Sequence, residues 1–424
     1  MLVSMKKSPQ KILSIVGIGT VLSLVYSALN YATQIALVEV FGYHLRGVYE
    51  ILMSVLGLAS VLFSFNLYTA INLHVSRNKG APDNLATVGA IVLAVQLVAL
   101  MALLALSPRE EMVVGSQWLG FFLLLAAAAV LNHKVNEFTA ILNGKHHFIE
   151  AKMLSLVGAL LSACAIVLAY ALGVRDAKVI VWIAVIGPFL GSYVYAKYLF
   201  RKVMELGSKS GTLVWRTLYK ENGAVYLISL AQFISLKLYL LYIARNESVE
   251  MLGVFSLSYS LVQFVMLPAT FLATIIISNE SDSLSGFSRS FKVLMSYGVA
   301  SCAAIIVAIA LGVFDLLPLE SLRNPRFVSV LEVMALSIPF SLLNILVVAT
   351  AIRKNMCSRA FVLGQVLMVP LPIALYHLGA DLLGMQSAVS AAYVGTWLVG
   401  SVVTLAALQN NIRKSRGMAW PAFP

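Results

Sequence analysis

Lys237 is the deepest cation that the sequence places within an apolar run, the stretch 230–239. Gln232 and Ser235 put further polar groups on the same helix, close to the side that carries Lys237. A lysine facing hydrocarbon at this depth costs roughly 3 kcal/mol on insertion scales. The alternatives are a lysine that faces an internal cavity and one that snorkels outward to the headgroups. We favour the cavity, where the ammonium can meet an anion as a point charge.

Two further pairs of charges stand at helical spacing inside apolar runs. Lys134 and Glu137 are three residues apart and can pair on one helical face, although snorkelling to the headgroups is an equal alternative. Arg46 and Glu50 are four residues apart at the end of another run, a position typical of an interfacial ion pair.

These residues and their polar neighbours define the candidate site. The candidates for a binding cleft are Lys237, Lys134, Arg46, Asn30, Gln34 and Gln232. The candidates for ion coupling or pairing are Glu137, Glu50 and Glu332.

The motifs of nucleotide hydrolysis and of common hydrolases are missing from the sequence. It contains no GxxxxGK[ST], HExxH or GxSxG pattern. Cys164, Cys302 and Cys357 have no CxxC spacing, so neither a metal site nor a disulfide framework is indicated. We therefore expect no catalytic residues, no cofactor and no enzymatic activity.

The elements that must position these side chains are membrane-spanning helices. Hydrophobic residues make up 60% of the 424 residues and charged residues only 11%. The apolar residues form runs of about 20 or more, the length that crosses a hydrocarbon core of about 30 Å as a helix. The formal net charge of +12 arises from basic loops between these runs, so we expect no nucleic-acid partner.

Charge clusters and Pro, Gly and Asn residues divide the chain into twelve predicted spans. They are 12–40, 47–74, 86–106, 116–141, 151–173, 178–200, 221–244, 248–278, 292–314, 327–352, 358–378 and 385–409. The basic segment 201–220 separates six helices from six, so we predict two halves, 1–206 and 207–424. We expect an all-α membrane protein whose halves are related by a pseudo-two-fold axis along the membrane normal.

The distribution of basic residues predicts the orientation. With the amino terminus in the cytoplasm, 20 Lys and Arg residues fall in cytoplasmic segments and 7 in the opposite loops. The positive-inside rule therefore places both termini in the cytoplasm.

Each half carries a similar short motif after its first predicted helix. The segment 45–49 reads Leu-Arg-Gly-Val-Tyr, and 251–255 reads Met-Leu-Gly-Val-Phe. This repetition favours the transporter plan of two related halves.

These motifs also carry a resemblance to a known family. The stretch 41–50 with 65–70, the stretch 252–260 with 267–269, and the loop 142–148 resemble polysaccharide flippases of the multidrug/oligosaccharidyl-lipid/polysaccharide (MOP) exporter superfamily. Resemblance to these Wzx-type proteins implies transport of undecaprenyl-diphosphate-linked oligosaccharide across the bacterial inner membrane, for O-antigen or another surface glycan. It also implies membrane lipids, a glycan polymerase and chain-length proteins as partners. At Lys237 many relatives would carry an acidic or variable polar residue.

Other functions stay open at this stage. An ion-coupled drug or metabolite exporter of the same superfamily would favour deep carboxylates over a deep lysine. An intramembrane glycan polymerase or ligase would call for a large outer loop with catalytic Arg or His residues, whereas no predicted outer loop exceeds about 13 residues.

Overall fold

The computed structural model describes residues 9–64, 67–78, 81–106, 118–203, 212, 215–279, 284–353 and 357–416. Every regular element in these ranges is an α-helix, as the apolar runs predict. The first eight helices are α1 (Pro9–Leu62), α2 (Leu67–Asn78), α3 (Leu85–Leu106), α4 (Trp118–Gly144), α5 (Phe148–Ala171), α6 (Ala177–Val203), α7 (Trp215–Asn246) and α8 (Val249–Asn279). The other eight are α9 (Leu284–Ala310), α10 (Val313–Leu316), α11 (Glu320–Arg323), α12 (Pro325–Ala335), α13 (Ser337–Arg353), α14 (Arg359–Leu367), α15 (Leu371–Leu383) and α16 (Met385–Arg416).

Within the described ranges, nine helices are long and apolar enough to cross a membrane, and two bent helix pairs raise the number to eleven. The first of the nine, Gly17–Leu62, has 46 residues. At 1.5 Å per residue it is about 69 Å long, more than twice the thickness of a hydrocarbon core. It therefore covers most of the predicted span 12–40 and the part of the predicted span 47–74 up to Leu62.

The break between these two spans is at Gly42. Its backbone angles are φ 80° and ψ 173°, a conformation that residues with a Cβ rarely adopt. The predicted boundary between residues 40 and 47 contains this break.

Three of the predicted spans are less regular than hydropathy suggests. The predicted span 47–74 is interrupted after Leu62 and resumes as α2. The predicted spans 327–352 and 358–378 are the bent pairs α12–α13 and α14–α15, with bends of 42° and 43°. Pro339 lies four residues after the last residue of α12, and Pro370 and Pro372 stand at the start of α15. A proline ring clashes with the carbonyl four residues earlier, which accounts for both bends.

The chain forms two compact units. The first comprises Met1–Thr33 and Val55–Tyr219, and the second comprises Gln34–Ser54 and Lys220–Pro424. In the first unit α4 packs against α2, α3, α5 and α6, and in the second α16 packs against α12 to α15. Half of the predicted linker, residues 204–211 and 213–214, lies outside the described residues.

Candidate functional site

Two helical segments of the second unit carry its buried charges. The part of α1 that follows Gly42 carries Arg46 and Glu50, and α7 carries Lys237. Glu50 is eight residues beyond the break, or about 12 Å along the helix, and Lys237 is nine residues before the end of α7, or about 14 Å. Both side chains therefore lie well inside the apolar part of their helices.

A single carboxylate joins these charges. Glu50 Oε1 is 2.8 Å from Lys237 Nζ, and its Oε2 is 3.0 Å from a terminal guanidinium nitrogen of Arg46. The other terminal nitrogen of Arg46 donates to Gln34 Oε1 at 3.2 Å. Lys237 is thus directed into the second unit and does not snorkel to the headgroups.

The network has more positive than negative charge. Arg46 and Lys237 contribute two cations, and Glu50 contributes one carboxylate, so the net charge is +1 when all three are ionised. The side chain of Lys237 is 16% exposed and that of Arg46 only 1%. The predicted Arg46–Glu50 pair does form, and both residues are buried. An ammonium has three N–H donors, and one acceptor, Glu50, meets Lys237 in the described part of the chain.

Two glycines allow the Arg46 segment to pack closely against α8. A Cβ on Gly47 would collide with the carbonyl of Val249, and one on Gly253 would collide with the carbonyl of Tyr43 and lie 3.2 Å from the nitrogen of Gly47. These glycines are the centres of the two repeated motifs 45–49 and 251–255. The motifs therefore meet at a close helix crossing, the usual role of small residues between membrane helices.

A second group of contacts links α1 to α11 from both sides of Gly42. The backbone N–H of Ser321, in α11, donates to a carboxylate oxygen of Glu39 at 2.7 Å, and the hydroxyl of Ser321 bonds to the same oxygen. The hydroxyl of Tyr43 donates to the carbonyl of Ser321. These bonds explain why residues 34–54 belong to the second unit.

Gln232 belongs to a polar chain between helices. Its Nε2 donates to Gln365 Oε1 at 2.7 Å, and Gln365 donates to Asn344 Oδ1 at 3.1 Å. Ser235 donates to the carbonyl of Met368, beside the break between α14 and α15. Gln232 and Ser235 also line a small pocket with Tyr239, Met368, Pro372, Tyr393, Thr396 and Trp397. Gln232 thus stabilises helix contacts and reaches this pocket.

Lys134 and Glu137 form their predicted pair in the first unit, with 2.8 Å between Nζ and Oε2. The lysine side chain is 40% exposed and the glutamate 7%. His133 lies 3.0 Å from the other carboxylate oxygen and is fully buried. Its Nδ1 is 2.9 Å from the hydroxyl of Tyr68. Lys134 and Lys237 therefore belong to separate clusters in separate units.

The remaining candidates are not part of either cluster. Asn30 is half-buried and belongs to the first unit, whereas Gln34, four residues later, belongs to the second. Glu332 is exposed. No group of three or more His, Cys, Asp or Glu side chains that could hold a metal is present within the described ranges.

Sequence reasoning missed His133, Glu39 and Gln365 as members of these networks. His133 adjoins Lys134 at helical spacing from Glu137, which is a signal that the sequence does contain. The partners of Glu39 and Gln365 are distant in sequence or give no local signal.

The sequence matches no protein-family model and no curated protein, but the fold is similar to several solved structures. An inward-facing multidrug resistance MATE family transporter of the MOP superfamily has a TM-score of 0.62 at 13% identity, covering 95% of this chain and 96% of its own. The lipid II flippase MurJ, in an inward closed conformation, has a TM-score of 0.65 at 12% identity, and the match covers 96% of this chain and 94% of the MurJ chain. The MATE multidrug transporter DinF-BH, solved as a complex with a ligand, has a TM-score of 0.64 at 14% identity, covering 98% of each chain.

These similarities establish the fold of the chain. It is a multi-pass membrane protein with the fold of MOP superfamily transporters. The compared proteins are transporters or flippases, not enzymes.

Proposed function

We propose that this protein is a flippase for an undecaprenyl-diphosphate-linked oligosaccharide, the repeat unit of O-antigen or another surface glycan. It would move this lipid across the bacterial inner membrane by alternating access. The sequence resemblance to Wzx-type flippases and the fold shared with the lipid II flippase MurJ support a lipid-linked substrate. A glycan polymerase and chain-length proteins would then act on the delivered product.

The observation that carries this proposal is the net positive charge of the Arg46–Glu50–Lys237 network. A diphosphate is an anion that must lose part of its hydration to cross the membrane, and this loss is costly unless the charge is met. Lys237 is the most exposed of the three charged residues and has N–H donors beyond the one that meets Glu50. It is therefore the group that we expect to contact the diphosphate, while the polyprenyl tail stays in lipid.

Deleting the gene in its host tests the function directly. The lipid-linked oligosaccharide should accumulate on the cytoplasmic leaflet and the surface glycan should be lost, as measured by glycan blotting and by accessibility of the lipid to an added sugar-binding probe. An unchanged surface glycan, in a strain without a second flippase, would show that the substrate is different.

Complementation with Lys237→Ala tests the residue. We expect at least a tenfold loss of surface glycan at matched protein level, with partial recovery in Lys237→Arg because the positive charge is restored. Lys197→Ala is the matched control, since Lys197 also lies within a predicted span but is exposed. A normal amount of surface glycan in Lys237→Ala cells would show that Lys237 is not part of the binding site. It would not contradict the flippase proposal.

An exporter of organic cations is the second candidate. The multidrug transporter DinF-BH shares the fold to a similar degree. The buried carboxylates Glu50 and Glu137 are groups that could attract a cation, although each is already paired with basic side chains. Efflux of a cationic dye such as ethidium by the wild-type protein, lost in the deletion strain whose surface glycan is intact, would favour this function instead.

A further inference from the structure

An aromatic cluster near the end of α7 takes no part in the charge network proposed above. It consists of Tyr242 on α7 and of Tyr376 and His377 on α15, all in the second unit. The ring centroids are 5.4 Å apart for Tyr242 and Tyr376, and 5.6 Å apart for Tyr242 and His377. The centroids of Tyr376 and His377 are 5.5 Å apart. All three pairs meet edge to face, the arrangement that aromatic rings prefer.

Hydrogen bonds fix the two tyrosines of this cluster. The hydroxyl of Tyr242 is 2.7 Å from Nε2 of His377. The hydroxyl of Tyr376 donates to a carboxylate oxygen of Glu247, in the turn between α7 and α8. A ligand would therefore meet a surface that is already ordered, which lowers the entropic cost of binding.

The cluster has a buried side and an exposed side. Tyr376 is buried, Tyr242 is half-buried and His377 is exposed. Asp381 is one helical turn beyond His377 and is exposed as well. Tyr376 thus anchors the cluster, while Tyr242, His377 and Asp381 form its outer surface.

This outer surface combines the groups that bind a sugar. When Nε2 of His377 accepts from the Tyr242 hydroxyl, Nδ1 carries the ring proton and is a donor. The carboxylate of Asp381 is an acceptor. A pyranose has hydroxyls that both donate and accept, and its C–H faces are apolar with slightly positive hydrogens, which suits the negative face of an aromatic ring.

An aromatic belt at the membrane interface is the alternative explanation. Tyr242 lies four residues, about 6 Å, before the end of α7, and His377 lies six residues, about 9 Å, before the end of α15. Tyrosines are common at this depth because their rings suit the headgroup region. Anchoring requires neither a histidine bonded to the tyrosine nor a carboxylate that holds the next ring. These two features favour a binding surface.

The position of the cluster also suits a sugar carried by a lipid. By the positive-inside prediction, α7 and α15 both end on the side opposite the cytoplasm. The polyprenyl tail of a lipid-linked oligosaccharide stays in the hydrocarbon, so its sugars lie at the level of the headgroups. They reach this depth, on this side, once the lipid has been moved across.

We propose that Tyr242, His377 and Asp381 form a saccharide-binding surface at the extracytoplasmic end of the second unit, and that it receives the sugar of the transported lipid. One C–H face of a pyranose packs on the rings of Tyr242 and His377, and its hydroxyls bond to His377 and Asp381. The role in transport rests on the flippase function proposed above, whereas sugar binding does not.

Saturation-transfer NMR on the purified full-length protein measures sugar binding. The probes are the methyl glycosides of glucose, galactose, N-acetylglucosamine, mannose and rhamnose. The detergent is lauryldimethylamine oxide, which has no sugar headgroup. We expect transfer to the ring C–H protons of at least one glycoside, and at least threefold less in Tyr242→Leu/His377→Leu because the aromatic faces are lost.

Tyr198→Leu is the matched control for this measurement. Tyr198 is also a tyrosine near a helix end, five residues before the end of α6, and it stacks on another ring, that of Tyr195. It is 64% exposed, so its replacement disturbs little packing, and transfer should equal that of the wild type. Absence of transfer with all five glycosides, or equal transfer in the double variant, overturns the saccharide-binding surface.

Asp381→Asn provides a test that does not disturb the ring contacts. Because Asp381 is exposed, thermal unfolding in detergent should be unchanged. A carboxylate accepts stronger hydrogen bonds than a neutral amide, so we expect weaker saturation transfer at the same glycoside concentration. Unchanged transfer would exclude Asp381 from the surface.

Complementation of the deletion strain measures the role in transport. We expect Tyr242→Leu/His377→Leu to lower the surface glycan at least threefold at matched protein level, and Tyr198→Leu to leave it unchanged. Sugar binding in the wild type together with normal glycan in the double variant overturns the role in transport. If the deletion strain itself retains its glycan, the flippase proposal fails, and the NMR result still decides whether the saccharide-binding surface exists.

Discussion

Glu50 is the acceptor for both buried cations, so the three charges of the second unit depend on one another. Replacing Lys237 leaves the carboxylate paired with Arg46, and replacing Arg46 leaves it paired with Lys237. Replacing Glu50 leaves two buried cations without an anion. Loss of one partner from a buried pair costs about 3–5 kcal/mol because the other charge is left uncompensated.

We therefore predict that Glu50→Gln destabilises the protein by about 3 kcal/mol, and that Lys237→Met costs clearly less. The double variant Glu50→Gln/Lys237→Met should recover part of the loss, because it removes one of the two stranded cations. Unfolding in detergent, followed by thermal or denaturant melts, measures all three. Equal losses in the two single variants would show that Glu50 is not the shared partner.

Local spacing was sufficient to predict the pairs within one helix, but not the networks. The Arg46–Glu50 and Lys134–Glu137 pairs follow from spacings of four and three residues. The Lys237–Glu50 bond joins residues 187 positions apart, and this contact depends on how α1 and α7 pack. The burial of Arg46 also depends on packing, which the spacing of Arg46 and Glu50 does not reveal.

At the scale of elements, the two repeated motifs pack against each other. Gly47 and Gly253 let the backbones of α1 and α8 approach each other where any side chain would collide. The repetition is visible in the sequence, but the mutual contact is not. Hydropathy likewise predicted that these segments are membrane-spanning helices but not the breaks in α12–α13 and α14–α15, because the apolar character continues through each bend.

We predict that Gly253→Ala destabilises the protein by about 1–3 kcal/mol, since the added methyl group meets backbone atoms that cannot move aside. Gly19→Ala is the control, because a Cβ at Gly19 has no neighbour within 4 Å. Both changes bring the same gain in helix propensity, so the difference between them isolates the close packing. Thermal unfolding in detergent measures it. A Gly253→Ala variant as stable as Gly19→Ala would contradict the close packing of α1 against α8.

At the scale of the whole molecule, each compact unit is made of two separate stretches of the chain. Residues 34–54 belong to the second unit although the first unit continues after them. The predicted halves 1–206 and 207–424 rest on span counting and on the basic segment between them. Neither can reveal that residues 34–54 belong to the second unit. The placement of residues 34–54 in the second unit depends on long-range hydrogen bonds such as those between Ser321 and both Glu39 and Tyr43.

The membrane orientation is the prediction that belongs to this scale. The 20 to 7 distribution of basic residues predicts that both termini are in the cytoplasm, since Lys and Arg are retained on that side during insertion. Reporter fusions after Gly80, after Ser210 and at the carboxyl terminus should therefore all report cytoplasm. A fusion after Gly173, between α5 and α6, should report the opposite side. A periplasmic signal after Ser210 would mean that the first half contains an odd number of spans.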